Sequence, residues 1–174
     1  MFSVGDLIVY NETGVCRVEQ IGPPAFNPRE RRDYYTLTPL YGAGTIYVPV
    51  DSGVFMRPVL SREEAEALID RLPEIQRAHV DNRDYRAAAQ QYQGFLKTHR
   101  CEDLVQLIKE VYLKGQEQAK AGKKPSKVDQ EFRKRAETLL HGELSAALGI
   151  PVEEIPEYIT RRIQSAEAAR GCAV

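Results

Sequence analysis

The sequence predicts an α+β protein, in which a small SH3- or Tudor-like β-barrel precedes an all-α helical domain. Four or five short β-prone runs, separated by turn-forming residues, lie in the N-terminal third of the chain. Beyond residue 60, apolar residues recur with the three- and four-residue spacing of amphipathic helices. We therefore expect a barrel domain over residues 1–57 and a helical domain over residues 58–174.

The predicted strands are rich in β-branched and aromatic residues and are bounded by glycine and proline. A few short strands cannot build a large sandwich, so a small barrel is favoured. Pro49 cannot donate a backbone hydrogen bond, so the fourth strand either ends there or has one unpaired side. The four best-defined runs are residues 4–10, 15–21, 34–40 and 45–50.

The helical domain is predicted to begin with a capping box. Ser61 is the expected N-cap, and Glu64 follows at the third helical position, where the two residues satisfy each other's backbone N–H groups. The clearest helix has apolar residues at i, i+3, i+4, i+7 and i+8 over residues 104–112. Ser126 is expected to cap the fourth helix, and Pro156 to delay or kink the fifth.

Composition is typical of a soluble globular protein. Hydrophobic residues make up 43% and charged residues 28% of the 174 residues. No apolar run approaches the roughly 20 residues of a membrane span, and no secretory signal precedes the first strand, so a cytoplasmic location is expected. Cys16, Cys101 and Cys172 are far apart, which favours reduced thiols over disulfides or metal ligands.

Charge is unevenly distributed along the chain, although the net charge is only −1. Residues 1–76 carry −4, residues 77–141 carry +5, and residues 142–174 carry −2. Every lysine lies at or after Lys97. A moderately basic block between two acidic ones permits phosphate contacts without requiring them.

No motif typical of catalysis is present. The sequence has no Walker loop, no GxGxxG that follows a strand and opens a helix, and no HExxH. We therefore expect no enzyme, no cofactor, no small-molecule substrate and no metal site. The alternative is a small enzyme with a pocket between barrel and helices, which convergent carboxylates or histidines would favour.

The order of the N-terminal runs VGDLIVY, TGVCRVEQI, YYTL and TIYVPVD resembles the RNA-polymerase-interacting module of CarD-like transcription regulators. The transcription-repair coupling factor has the same module. The helical half is also similar to CarD-like proteins, so the resemblance covers residues 2–163 and favours a stand-alone regulator. The similar helical stretches are residues 104–113, 122–124, 136–137 and 142–149.

This resemblance implies a bridge between two macromolecules. The barrel would dock on the β subunit of bacterial RNA polymerase, and the helical domain would contact promoter DNA weakly, largely without sequence specificity. The implied result is a change in the stability of the open promoter complex. The alternative is an adaptor that binds polymerase without touching DNA, which the modest basic block and the absence of tryptophan favour.

The fourth strand is the expected polymerase-binding element, because an exposed strand edge can extend a partner's sheet. Alternatively, this strand simply closes the barrel. Better-known relatives carry an arginine where this chain has Tyr47, so any ion pair made there must be replaced. Arginines at the preceding loop tip would add rim charges, unless that tip is merely solvated. The expected polymerase-binding residues are Arg29, Arg31, Thr45, Ile46, Tyr47, Val48 and Pro49.

Relatives also insert a tryptophan into the minor groove, and this chain has none. By spacing, the nearest equivalent is Tyr85 in a second helix predicted over residues 82–97, while a different gap placement selects His79. Tyr85 either begins the apolar stripe of that helix or acts as the wedge. The expected DNA-binding residues are Arg83, Tyr85, Arg86, Lys97, Arg100, Lys123, Lys124 and Lys127, the basic ones as phosphate contacts.

Overall fold

The computed structural model describes residues 1–171 and divides the chain after Leu60 into two compact units. Strands occupy the first unit and helices the second, which confirms the predicted α+β class. Cys16 and Cys101 are buried thiols, and Cys172 lies outside the described residues. Within residues 1–171, none of the helices has the length and apolar character that a membrane span requires.

The N-terminal unit is an antiparallel five-stranded sheet with the order β4-β3-β2-β1-β5. The expected barrel closure is absent, because the outer strands β4 and β5 pair with β3 and β1 but not with each other. Both outer strands are short and end at a proline, which cannot donate to a further strand. The strands are β1 Leu7–Tyr10, β2 Gly14–Gly22, β3 Tyr34–Pro39, β4 Ile46–Pro49 and β5 Met56–Pro58.

One face of the sheet covers a small apolar core. Because successive side chains in a strand point to opposite faces, the pairs Tyr34–Pro49 and Thr36–Tyr47 lie on the other face. The buried core residues are Ile8, Cys16, Val18, Tyr35, Leu37 and Val48.

On its outer side, β5 presents the backbone N–H and C=O of one residue, Met56. Asn11 N–H donates to Phe55 C=O, so the backbone groups of Met56 and Pro58 face away from β1. Pro58 has no N–H, and its carbonyl accepts a 3.0 Å hydrogen bond from the Arg57 guanidinium.

The second unit contains five helices, and α4 packs against each of the other four. The predicted capping box is confirmed, because Ser61 Oγ accepts from Glu64 N–H at 3.0 Å while the Glu64 carboxylate accepts from Ser61 N–H at 2.8 Å. Pro156 lies in the first turn of α5, where a proline is tolerated. The helices are α1 Arg62–Arg71, α2 Tyr85–Lys97, α3 Cys101–Lys120, α4 Lys127–Leu148 and α5 Ile155–Gly171.

Candidate functional site

The edge strand β4 forms ladder hydrogen bonds with β3 on one side only. Val50 N–H donates to Asp33 C=O at 3.0 Å, and this bond determines which residues of β4 direct their backbone groups toward β3. In an antiparallel pair, backbone groups face the neighbouring strand at every second residue. The backbone groups of Tyr47 and Pro49 therefore face away from β3.

Of these two outward positions, only one can both donate and accept. Pro49 has no N–H, and its carbonyl already accepts from Ser52 N–H at 3.0 Å. Tyr47 is consequently the residue of β4 whose N–H and C=O are both directed to the open side of the sheet.

The seven residues expected at the polymerase surface differ in how exposed the structure leaves them. Val48 is 3% exposed and Ile46 packs against the core, so both side chains support the strand from within. Pro49 is half-buried beside Tyr34. The exposed members are Arg29, Arg31, Thr45 and Tyr47.

The loop over residues 23–33 carries three arginines and two acidic residues. Arg32 pairs with Asp51 at 2.8 Å, and this hydrogen bond holds the pKa of the Asp51 carboxyl below its ordinary value. Arg29 and Arg31 are exposed, and within residues 1–171 neither is ion-paired. The Arg29 and Arg31 guanidinium groups therefore face solvent, in a loop that also exposes Asp33.

Sequence reasoning missed an aromatic contribution from the same loop. The Phe26 side chain is 66% exposed, and its ring lies edge to face against Tyr47, with centroids 5.2 Å apart, and against Tyr34 at 6.1 Å. We refer to Phe26, Tyr34 and Tyr47 as the aromatic cluster. The sequence signal was slight: one phenylalanine among polar and proline residues.

A second candidate site is a cleft of about 750 Å³ in the helical unit. It lies between the start of α2, the second half of α3, and the loop that leads into α4. The cleft brings together five of the eight predicted DNA-binding residues, namely Arg83, Tyr85, Lys123, Lys124 and Lys127.

The other three predicted residues lie elsewhere. Lys97 ends the thirteen-residue helix α2 that Tyr85 begins, which separates the two by about 18 Å along the axis. Arg100 lies three residues beyond Lys97, and its guanidinium pairs with the Glu102 carboxylate at 3.3 Å. Arg86 is exposed in the first turn of α2 without lining the cleft.

Tyr85 stands at the lip of the cleft with its side chain 72% exposed. It is the first residue of α2, and the N-cap Asp84 accepts from Ala87 N–H at 2.7 Å. The interpretation of Tyr85 as a core residue is therefore wrong. His79 is exposed in the loop before α2 and does not line this cleft.

A buried polar network forms the floor of the cleft. Lys114 Nζ lies 2.8 Å from Asp129 Oδ2 and donates to Asn82 Oδ1 at 2.8 Å. The Tyr92 hydroxyl donates to Asp129 Oδ1 at 2.9 Å. Burial, reinforced by this carboxylate, raises the pKa of Tyr92 far above its ordinary value, so the hydroxyl remains a donor. These bonds tie α2, α3 and α4 together.

The walls of the cleft are predominantly basic. Arg83 is neutralised by Asp81, at 2.6 Å from Nε to Oδ2. Lys123, Lys124 and Lys127 are exposed, and within residues 1–171 none of them is ion-paired. The cleft therefore presents three free ammonium groups.

The helix that begins at the cleft adds to this positive field. The N-cap of α4, Ser126, makes no side-chain capping bond, so the first backbone N–H groups of α4 also contribute. This arrangement attracts phosphate, whereas no group of three or more His, Cys, Asp or Glu within residues 1–171 could hold a metal ion.

A small open sheet with an unpaired edge and an exposed aromatic cluster defines a protein-docking module. Residues 2–60 match the family model described as the CarD-like/TRCF RID domain, where TRCF is the transcription-repair coupling factor. Residues 2–60 thus form a domain of the CarD-like/TRCF RNA polymerase-interacting kind, which confirms for this part of the chain the resemblance read from the sequence. A search of curated proteins found no match.

Proposed function

We propose that this protein regulates transcription by binding the β subunit of RNA polymerase through β4 and promoter DNA through the cleft of its helical unit. The observation that carries the proposal is the unpaired edge of β4 in a domain whose family interacts with RNA polymerase. An exposed edge accepts a partner strand, and the flanking side chains supply specificity. Regulation of this kind requires only binding to polymerase and DNA, without catalysis or a cofactor.

The cleft supports the DNA part of the proposal. Lys123, Lys124 and Lys127 would contact phosphates, which gives affinity without sequence information. So few contacts make a weak, salt-dependent complex. Attachment to polymerase raises the effective concentration of the cleft at the promoter, so weak DNA binding suffices.

Tyr85 connects this binding to the transcription bubble. An aromatic wedge unstacks a base step more readily where the duplex already opens, so its contact favours the melted promoter. A protein that binds the open complex more tightly than the closed one shifts the population toward the open complex. The exposed position of Tyr85 at the cleft lip supports this role.

Polymerase binding is tested with the full-length protein and isolated β subunit. Tyr47→Pro removes the ring and the outward N–H of β4 without removing a bond to β3, whereas Tyr47→Ala removes the ring alone. We expect Tyr47→Pro to bind at least tenfold more weakly than Tyr47→Ala. An unchanged melting temperature of the helical unit and an unchanged sheet signal in circular dichroism establish that the variant is folded. Equal binding of both variants excludes strand addition.

DNA binding is tested by measuring affinity against salt concentration. Lys124→Glu should lower the slope of log K against log salt by about 0.9, because one phosphate contact is lost. Lys97→Glu makes the same charge change at the far end of α2 and should leave the slope unchanged. Equal effects of the two variants exclude the cleft as the DNA site. A polymerase footprint that the protein leaves unaltered favours the adaptor alternative.

A further inference from the structure

We infer that Phe26 is the principal side-chain anchor of the polymerase-docking surface. The occupant is an extended segment of the β subunit that places an apolar side chain against Phe26 and Tyr47, with a carboxylate opposite Arg29 or Arg31. This inference rests on the proposed polymerase binding by β4 and specifies its chemistry.

The backbone of β4 alone offers too few hydrogen bonds to hold a partner strand tightly. Tyr47 offers one N–H and one C=O to an added strand, and Pro49 offers neither, because its carbonyl is bonded to Ser52. Strand addition normally draws its affinity from a series of such hydrogen bonds. Side chains beside Tyr47 must therefore supply most of the affinity.

Phe26 is suited to this role because it is both exposed and fixed. Its ring is 66% exposed yet lies edge to face against Tyr47 and Tyr34. The preceding Pro24 is fully buried, and its carbonyl accepts from Asn27 N–H at 2.9 Å, which holds both sides of Phe26. A ring that is already ordered loses little entropy on binding.

The charged residues of the loop that carries Phe26 indicate which charges the partner segment presents beside its apolar side chain. Glu30 accepts backbone N–H bonds from Arg31 and Arg32 with one carboxylate oxygen, and Glu30 and the exposed Asp33 are the acidic residues of the same loop. Arg32 is paired with Asp51. Arg29 and Arg31 are exposed and have no ion pair within residues 1–171, so their guanidinium groups are open to a carboxylate of the partner.

The test compares two exposed aromatic residues in the full-length protein. Phe26→Ala removes the proposed anchor, and Tyr41→Ala removes an exposed ring in the turn after β3. We expect Phe26→Ala to weaken binding to the β subunit at least tenfold and Tyr41→Ala to change it less than twofold. Phe26→Leu, which keeps an apolar contact, should fall between wild type and Phe26→Ala.

The outcomes distinguish failure of the Phe26 inference from failure of the proposed polymerase binding on which it rests. If wild type binds and Phe26→Ala binds within twofold of it, the anchor role of Phe26 is wrong while polymerase binding stands. If wild type itself does not bind, the proposed function fails and this inference with it. A double variant, Arg29→Glu with Arg31→Glu, should reduce the salt dependence of association, and an unchanged dependence contradicts the acidic rim.

Discussion

Lys114 on α3 and Asp129 on α4 form an ion pair across the floor of the basic cleft, with 2.8 Å between Nζ and Oδ2. Their side chains are only 15% and 5% exposed, so water screens the pair poorly. Asn82 and the Tyr92 hydroxyl bind the same two groups. The shape of the cleft therefore depends on a charged contact between two consecutive helices.

Removing one partner of this pair should be costly. Asp129→Ala leaves the Lys114 ammonium without its counter-charge and the Tyr92 hydroxyl without its acceptor, so we expect a loss of about 3 kcal/mol in the free energy of unfolding. Urea denaturation measures it. The double variant Lys114→Met with Asp129→Leu should lose less than Asp129→Ala alone, and a larger loss would contradict an electrostatic origin.

The two serine N-caps of α1 and α4 should respond differently to alanine. Ser61→Ala removes the hydroxyl that accepts from Glu64 N–H and should lower the free energy of unfolding by about 1 kcal/mol. Ser126→Ala removes a hydroxyl that makes no capping bond and should cost clearly less. Thermal denaturation of both variants checks the difference, and equal losses would show that the capping bonds of Ser61 add no stability.

Two glycines provide a second matched comparison. Gly149 ends α4 with φ 68° and ψ 31°, a left-handed conformation that strains any residue with a Cβ, so Gly149→Ala should destabilise by about 1 kcal/mol. Gly94 lies within α2, where an added Cβ meets nothing within 4 Å. Gly94→Ala should therefore stabilise by about 0.5–1 kcal/mol. Chemical denaturation of each variant measures the sign, and a stabilising Gly149→Ala would contradict the strain.

His141 should make stability depend on pH. It lines a hollow of about 320 Å³ whose walls are largely apolar, together with Lys109 and Glu137. Burial lowers the pKa of His141 below its ordinary 6.5, against a smaller opposing effect of Glu137. The unfolded chain therefore binds the proton more readily, so stability is complete above pH 6.5 and falls as the pH drops below it.

The measurement for His141 is the free energy of unfolding in urea at pH 7.5 and 5.5. His141→Gln, which does not titrate, should show a smaller difference between the two pH values than wild type. His79→Gln, at an exposed position, is the control. A pH dependence that is equally reduced by both substitutions, or by neither, would contradict a specific role of His141.

Local signals in the sequence predicted local structure well. Ser61 and Glu64 lie three residues apart, and their capping box depends on nothing beyond that turn. The proline of β4 indicated an unpaired side because its missing N–H is a property of one residue. Closure of the barrel was predicted wrongly because it depends on whether β4 and β5 reach each other, which no local pattern encodes.

The sites were harder to predict because they are assembled from distant segments. Phe26 has no periodic partner, and its importance follows only from contacts with Tyr34 and Tyr47. Tyr85 continues the apolar stripe of α2 in sequence, yet it precedes the buried part of that helix. Helical periodicity specifies which residues share a face, but not where along the helix the neighbouring helices make contact.

Pro49 and Pro58 together have a consequence for the protein at high concentration. Each stands at the outward position of an outer strand, and each has a carbonyl that is already bonded within the chain. An edge-to-edge junction between copies of the sheet would therefore be short, because each outer strand offers the backbone N–H of a single residue, Tyr47 on β4 or Met56 on β5. So few hydrogen bonds per junction disfavour the growth of a fibril from copies of the N-terminal unit.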